Sequence, residues 1–105
     1  MISPSIQNTI KTTVHSIVPD ARVLLFGSMA RGDANEDSDY DILVIIPNTI
    51  DPYERITMST KVNNALVDVL RASVDVLVKS EEQVNRKKDI PGNVIRWALK
   101  EGVEL

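Results

Sequence analysis

Cysteine is absent from this chain of 105 residues. Disulfide bonds, thiol catalysis and cysteine-rich zinc sites are therefore excluded, and an intracellular protein is the simplest interpretation. The N-terminus also lacks a basic segment followed by an apolar one, and no apolar run approaches the length that spans a membrane. We therefore expect a cytoplasmic protein that has no membrane partner.

Positive charge is also scarce, because 12 lysine and arginine residues stand against 15 aspartate and glutamate residues, a formal net charge of −3. Binding along a nucleic-acid backbone requires a basic face, so we expect no direct nucleic-acid partner. The hydrophobic fraction of 43% and the charged fraction of 26% are typical of a globular protein. The length predicts a single domain over residues 1–105.

What the chain does have is a concentration of negative charge between residues 33 and 41. Five acidic residues fall within these nine positions: Asp33, Glu36, Asp37, Asp39 and Asp41. Mutual repulsion among so many carboxylates is severe unless a cation is close. The cluster therefore predicts a metal site.

Apolar runs on both sides of this polar segment predict strands, at about residues 22–26 and 39–46. A third strand is predicted at residues 73–78, and the order of elements is helix, strand, strand, helix, strand, helix, helix. Such an order is typical of an α/β fold with one small mixed sheet, of at least three strands, covered by helices.

Three helix starts carry capping signals. Ser3 and Asp51 each stand before a proline, and Ser80 stands three residues before Gln83. The spacing of apolar residues then predicts which side chains are buried. These are Ile6, Ile10, Val14 and Ile17 in the first helix, Met58, Val62, Leu66, Val69 and Leu70 in the long helix, and Val94, Ile95, Ala98 and Leu99 in the last.

Three aspartates are candidates for a common site. Because side chains alternate along a strand, Asp39 and Asp41 are expected on one face, with Cα atoms about 6.8 Å apart. Asp75 interrupts the otherwise apolar third strand. If the second and third strands are neighbours, the three carboxylates converge, which suits two divalent cations in phosphoryl transfer.

A turn precedes this acidic pair, with ten residues between Ser28 and Asp39. Gly27 permits a tight, left-handed turn, and Ser28 adds a hydroxyl where a short helix presents free amides. A phosphate group fits at such a turn. Arg31 either adds positive charge to the phosphate site or pairs with the acidic loop, and both interpretations stay open.

The combination of Gly27-Ser28 with Asp39-x-Asp41 and a later strand aspartate, Asp75, resembles the nucleotidyltransferases of the DNA polymerase β superfamily. The run Gly-Ser-Met-Ala-Arg-Gly at residues 27–32 and the ending at residues 95–103 are similar to the minimal nucleotidyltransferases, called MNT or MntA proteins. The resemblance covers nearly the whole chain, and it implies a polymerase β palm-like fold.

In the family that this chain resembles, the protein is an antitoxin that transfers AMP from ATP to a tyrosine of a HEPN-domain (HepT-type) RNase toxin. The resemblance implies that Gly27 and Ser28 hold the triphosphate and that Asp39 and Asp41 ligate two Mg²⁺ ions. It also implies that Asp75 binds the catalytic ion and assists deprotonation of the acceptor hydroxyl. Attack on the α-phosphate would release pyrophosphate.

The acceptor is expected to be a protein. Polymerases and antibiotic-modifying relatives hold their second substrate with additional domains, and a chain of 105 residues has no room for one. The partner is therefore expected to supply that surface. Two other functions stay open: an antitoxin that neutralises its toxin by binding alone, and a nucleotidyltransferase that acts on a small molecule.

Two further features have a plainer interpretation. Trp97 is assigned to the core or to a partner interface, and the basic run at residues 86–88 is interpreted as a solvated surface. Contact of that run with nucleotide or toxin is the alternative.

Overall fold

A mixed sheet flanked by helices forms the part of the chain that the computed structural model describes, residues 2–35 and 38–105. Glu36 and Asp37, two members of the acidic cluster, lie outside the described residues. The elements are α1 (Pro4–Ile17), β1 (Arg22–Phe26), α2 (Gly27–Arg31), β2 (Tyr40–Ile46), α3 (Pro52–Leu70), β3 (Val74–Ser80), α4 (Glu81–Lys87), α5 (Val94–Glu101) and β4 (Val103–Glu104).

The sheet has the strand order β3-β2-β1-β4. Strand β2 runs parallel to β3 and antiparallel to β1, and β4 pairs antiparallel with the other edge of β1. The predicted α/β fold with a mixed sheet is confirmed. The fourth strand, which has only two residues, is not among the predicted elements. Over the same described residues, none of the helices has both the length and the apolarity that a membrane crossing requires.

Helix starts follow the predicted capping signals. The side chains of Ser3, Asp51 and Ser80 each accept a hydrogen bond from the backbone N–H three residues further on. The Gln83 side chain returns a bond by accepting the backbone N–H of Ser80 at 3.0 Å. Each cap satisfies a donor that the helix itself leaves open, which stabilises the helix by about 1 kcal/mol.

Strand β2 is buried on both faces, which explains its continuous apolar run. Ile42, Val44 and Ile46 pack in a layer with helices α1 and α3, whose buried members are Ile10, Val14, Val62 and Leu66. Leu43 and Ile45 pack on the opposite face, against Val84 of α4 and Ile95 and Ala98 of α5. The sheet is therefore covered on both sides, and β2 lies at its centre.

Two valines predicted for the core are not part of it. Val69 of α3 is 48% exposed and Val94 of α5 is 38% exposed. Both lie in a terminal turn of a helix, where fewer neighbouring residues are available to cover a side chain. The remaining predicted core residues of these two helices are buried or partly buried.

The C-terminal segment is attached to strand β1. The backbone N–H of Leu105 donates to Val23 O at 2.8 Å, and Arg22 reaches Glu104 at 2.9 Å. A Cβ atom at Gly102, which ends helix α5, would collide with Ala98 O of the same helix and would lie 3.2 Å from Leu25 O of β1. Glycine at this position therefore permits the end of α5 to lie close to the sheet.

The difference between the two apolar positions of α3 is testable. Leu66→Ala removes a fully buried side chain, so we expect a loss of about 2–5 kcal/mol in the free energy of unfolding. Val69→Ala is the matched control on the same helix and should change stability by less than about 0.5 kcal/mol. Urea denaturation measures both, and equal losses would contradict the assigned core.

Candidate active site

The strand register brings together the motifs at one end of the sheet. Asp41, near the start of β2, is paired with Asp75 of β3 on one side and with Phe26, the last residue of β1, on the other. Gly27 follows Phe26 directly. Two of the three predicted aspartates and the predicted phosphate turn are therefore neighbours.

The carboxylates lie on the side of the sheet that helices α4 and α5 cover. Residues two positions apart in a strand point to the same face, so Asp41 shares a face with Leu43 and Asp75 shares one with Leu77. Both leucines pack in the layer formed with α4 and α5. Tyr40 points to the other side and packs in the α1 and α3 layer. Asp39 precedes β2 and is exposed, as is Asp75.

Asp41 is the carboxylate whose environment is least favourable to its charge. Burial raises its pKa above the ordinary value for aspartate, and the nearby charges of Asp75 and Asp39 raise it further. Arg31 acts in the opposite direction, whereas Glu101 adds to the increase. The ionised form is therefore destabilised in the folded chain, and a cation would relieve this cost.

Gly27 is required at its position for two reasons. Its φ of +74° lies in the left-handed region that residues with a side chain rarely adopt. A Cβ atom at Gly27 would also collide with Oδ2 of Asp41. The turn predicted at this glycine is confirmed, and it brings the backbone of α2 directly against the Asp41 carboxylate.

Helix α2 begins at this turn and contains the other predicted phosphate ligands. Ser28 is half-buried in its single full turn. Arg31, at its end, forms ion pairs with Asp33 at 3.3 Å and with Glu101 at 3.0 Å. The guanidinium also lies 5.9 Å from the centroid of the Trp97 ring. Pairing of Arg31 with the acidic loop is thus observed in this structure.

Glu101 is a site residue that the sequence reasoning missed. One oxygen of its carboxylate accepts both the Gly27 N–H, at 3.3 Å, and Nη1 of Arg31. No side-chain cap from within the segment satisfies the start of α2, so Glu101 provides one from 74 residues away. A contact of that sequence separation has no local pattern, and the only available signal was the position of Glu101 at the end of a helix predicted to cover the sheet.

The predicted metal ligands fit a divalent cation by type and charge. Carboxylate oxygens are the donors that Mg²⁺ prefers, and the pKa of Asp41 is raised by burial first and then by the negative charges of Asp75 and Asp39. Within the described ranges, however, no three acidic or histidine side chains lie close enough together to bind one metal ion. Asp41 and Asp75 are brought together by register, while Asp39 adds charge from outside the strand.

Comparisons with known proteins give matches that cover most of the chain. Residues 8–102 match the nucleotidyltransferase domain family. A protein of Methanocaldococcus jannaschii named "Putative protein adenylyltransferase" is 34% identical over 82 residues, which are 78% of this chain and 69% of that protein.

Solved structures with the same fold include toxin–antitoxin complexes. A crystal structure of a toxin–antitoxin with AMP-PNP has a TM-score of 0.64 at 22% identity, over 93% of this chain and 70% of the matched chain. A structure of the tri-AMPylated Shewanella oneidensis HEPN toxin in complex with MNT antitoxin has a TM-score of 0.59 at 20% identity, over 95% and 68% of the two chains.

The electrostatic cost at Asp41 predicts a gain in stability when its charge is removed. Because its pKa is raised by folding, ionised Asp41 lowers stability at pH 7, and this cost disappears as the pH falls. With divalent cations chelated, Asp41→Asn should therefore raise the melting temperature by a few degrees at pH 7, and the difference should shrink toward about pH 4. Asp68→Asn, at an exposed position of α3, is the control. A lower melting temperature for Asp41→Asn would contradict the assignment.

The contact between Gly27 and Asp41 can be isolated with two alanine variants. Gly92 also has a positive φ, of +80°, but a Cβ there would have no neighbour within 4 Å. Gly92→Ala should cost only the conformational penalty, about 1–2 kcal/mol, whereas Gly27→Ala should cost clearly more. In an Asp41→Ala background the Gly27→Ala cost should fall to that of Gly92→Ala. Chemical denaturation of the four variants tests this, and an unchanged cost would refute the contact.

Proposed function

Because this chain belongs to the nucleotidyltransferase domain family, as a minimal nucleotidyltransferase structurally close to MNT antitoxins, we propose that it is an antitoxin with adenylyltransferase activity. In this proposal it transfers AMP from ATP to a tyrosine of a HEPN-domain toxin in a reaction that depends on Mg²⁺. Members of the family act on nucleotides and are typically dependent on a metal ion.

One observation supports this proposal most directly: Asp41 lies in register with Asp75 and opposite Phe26, the residue that precedes the Gly27 turn. A turn that suits phosphate is therefore adjacent to carboxylates that suit a divalent cation. The positive charge of Arg31 lies at the same end of the sheet, close enough to lower the pKa of Asp41. Transfer of a phosphoryl-linked group requires these three properties in one place.

In the proposed reaction, the tyrosine hydroxyl oxygen forms a bond to the α-phosphorus of ATP. The bond between this phosphorus and the oxygen that bridges to the β-phosphorus breaks, and pyrophosphate leaves. Gly27, Ser28 and Arg31 hold the triphosphate, and Asp75 accepts the hydroxyl proton. Asp39, Asp41 and Asp75 would hold Mg²⁺, which supplies stabilisation of the charge that develops on the phosphate oxygens.

The identity of the acceptor rests on the relatives. The names of two matched proteins specify protein adenylylation, one as a "Putative protein adenylyltransferase" and one as an MNT antitoxin in complex with a tri-AMPylated HEPN toxin. A protein acceptor also agrees with the net charge of −3, which disfavours nucleic acid.

The proposal is tested by mass analysis of a HEPN-domain partner after incubation with this chain, ATP and Mg²⁺. We expect the partner mass to increase by one or more AMP units. Loss of an outer-shell partner of a metal site typically reduces activity by about 10- to 100-fold. We expect a larger reduction in the rate of AMP transfer for each of the variants Asp39→Asn, Asp41→Asn and Asp75→Asn. Asp68→Asn should leave the rate unchanged, and EDTA should abolish it.

The same variants separate the alternatives. If the aspartate variants suppress toxicity as well as the original chain does, the antitoxin acts by binding alone and the catalytic proposal is wrong. Turnover of ATP with a small-molecule acceptor in the absence of any partner protein would instead indicate a small-molecule nucleotidyltransferase.

A further inference from the structure

A cavity on helix α5 has no role in the site described so far. It has a volume of about 260 Å³ and is lined by Gly92, Asn93, Arg96, Trp97 and Lys100. We call it the Trp97 cavity, and the Trp97 residue itself is 52% exposed. A tryptophan that is left half exposed beside two cationic side chains is unusual for a residue whose only role is packing.

The Trp97 cavity is connected to the phosphate turn through Glu101 and Arg31, two residues that do not line the cavity themselves. Asn93, Trp97 and Glu101 are spaced four residues apart and therefore lie along one side of α5. Glu101, at the end of this row, accepts the Gly27 N–H and pairs with Arg31. The guanidinium carbon of Arg31 in turn lies 5.9 Å from the centroid of the Trp97 ring, within the range of a cation–π interaction. One arginine thus contacts both the proposed triphosphate site and the indole.

Helix α5, which carries the cavity, covers the side of the sheet where the reaction is proposed to occur. Helix α5 packs through Ile95 and Ala98 on the face that presents Asp41 and Asp75. A second cavity near α2, lined in part by Met29 and Tyr40, belongs to the opposite layer, because these two residues pack with α1 and α3. Of these two cavities, only the Trp97 cavity is formed by a helix that covers the carboxylate side of the sheet.

We propose that the Trp97 cavity receives the nucleobase of the donor nucleotide, an inference that rests on the proposed function. The indole provides a flat aromatic surface on which any base can stack. Arg96 and Lys100 provide hydrogen-bond donors for the ring and carbonyl acceptors of the base or for the ribose hydroxyls. Volumes of about 300–1,000 Å³ are typical of drug-sized ligand sites, so the cavity suits one ring system rather than a peptide segment.

The position of Arg31 favours the base over a segment of the acceptor protein. If the triphosphate lies on Gly27, Ser28 and Arg31, the Trp97 ring, 5.9 Å from the Arg31 guanidinium carbon, is within the length of the same nucleotide. The acceptor must approach the α-phosphorus from the side away from the leaving pyrophosphate, so it needs no access to a cavity whose tryptophan lies beside Arg31.

The experiment compares ATP with inorganic tripolyphosphate, both as Mg²⁺ complexes, by calorimetric titration of the full chain. Tripolyphosphate tests the phosphate site alone. Because the chain has one tryptophan, its fluorescence reports directly on Trp97. We expect ATP to quench this fluorescence more strongly than tripolyphosphate does.

Variants of Trp97 then assign the effect. Trp97→Ala should weaken ATP binding by about 5- to 150-fold, the range expected for loss of one stacked base, and should leave the affinity for tripolyphosphate unchanged. Trp97→Phe should retain most of the ATP affinity. Tyr53→Ala removes an aromatic side chain that is 80% exposed on α3 and serves as the matched control, with no effect on either ligand.

Three results would overturn the nucleobase assignment. Equal loss of both ligands in Trp97→Ala would show that Trp97 acts only through Arg31. An unchanged ATP affinity combined with slower AMP transfer would show that the acceptor protein binds there. Equal affinity of the original chain for ATP and tripolyphosphate would exclude any base contact. A chain that binds ATP through Trp97 but transfers no AMP would support the subsite and refute only the proposed function.

Discussion

Asp41 lies where strand β2 meets both of its neighbours, and the rest of the site is arranged around that junction. Its carboxylate is partly buried against Gly27 and faces the charge of Asp75, which is unfavourable. The remainder of β2 compensates, because each of its five buried residues, Ile42 to Ile46, stabilises the fold by about 1.5–3 kcal/mol. Each pH unit by which folding raises the pKa of an aspartate costs about 1.4 kcal/mol when the group is ionised. The stabilisation from the buried residues of β2 is therefore larger than the cost at Asp41.

The C-terminal segment contributes Glu101 to the candidate site. Strand β4, which pairs with β1, holds the end of α5, and Gly102 permits this end to lie close to Leu25 O. That end carries Glu101, which satisfies the Gly27 N–H and pairs with Arg31. The proposed phosphate turn is therefore supported by a residue that is not among its proposed ligands, and a shift of α5 would displace both Arg31 and Trp97.

The sequence predicted those features that depend on neighbouring residues. The caps at Ser3, Asp51 and Ser80 were predictable because donor and acceptor are three residues apart, and β2 was predictable because a strand buried on both faces is apolar throughout. The two-residue strand β4 and the contacts of Glu101 were not predictable, because each is formed only by a partner 70 or more residues away. Register determines the pairing of Asp41 with Asp75 but not the position of Asp39, and in the part of the chain that the structure describes no three acidic side chains form a close cluster.

The antiparallel pairing of β1 with β2 has a consequence for how relatives of this chain can diverge. Gly27 and Asp41 are neighbours because Phe26 is opposite Asp41 in the sheet, and the ladder of backbone hydrogen bonds would preserve this even if the segment between Gly32 and Asp39 changed in length. The number of residues between the glycine turn and the aspartate pair is then free to drift, while a slip of one residue in the ladder would turn Asp41 to the opposite face of the sheet. Insertions in that segment should be tolerated far better than a shift of strand register.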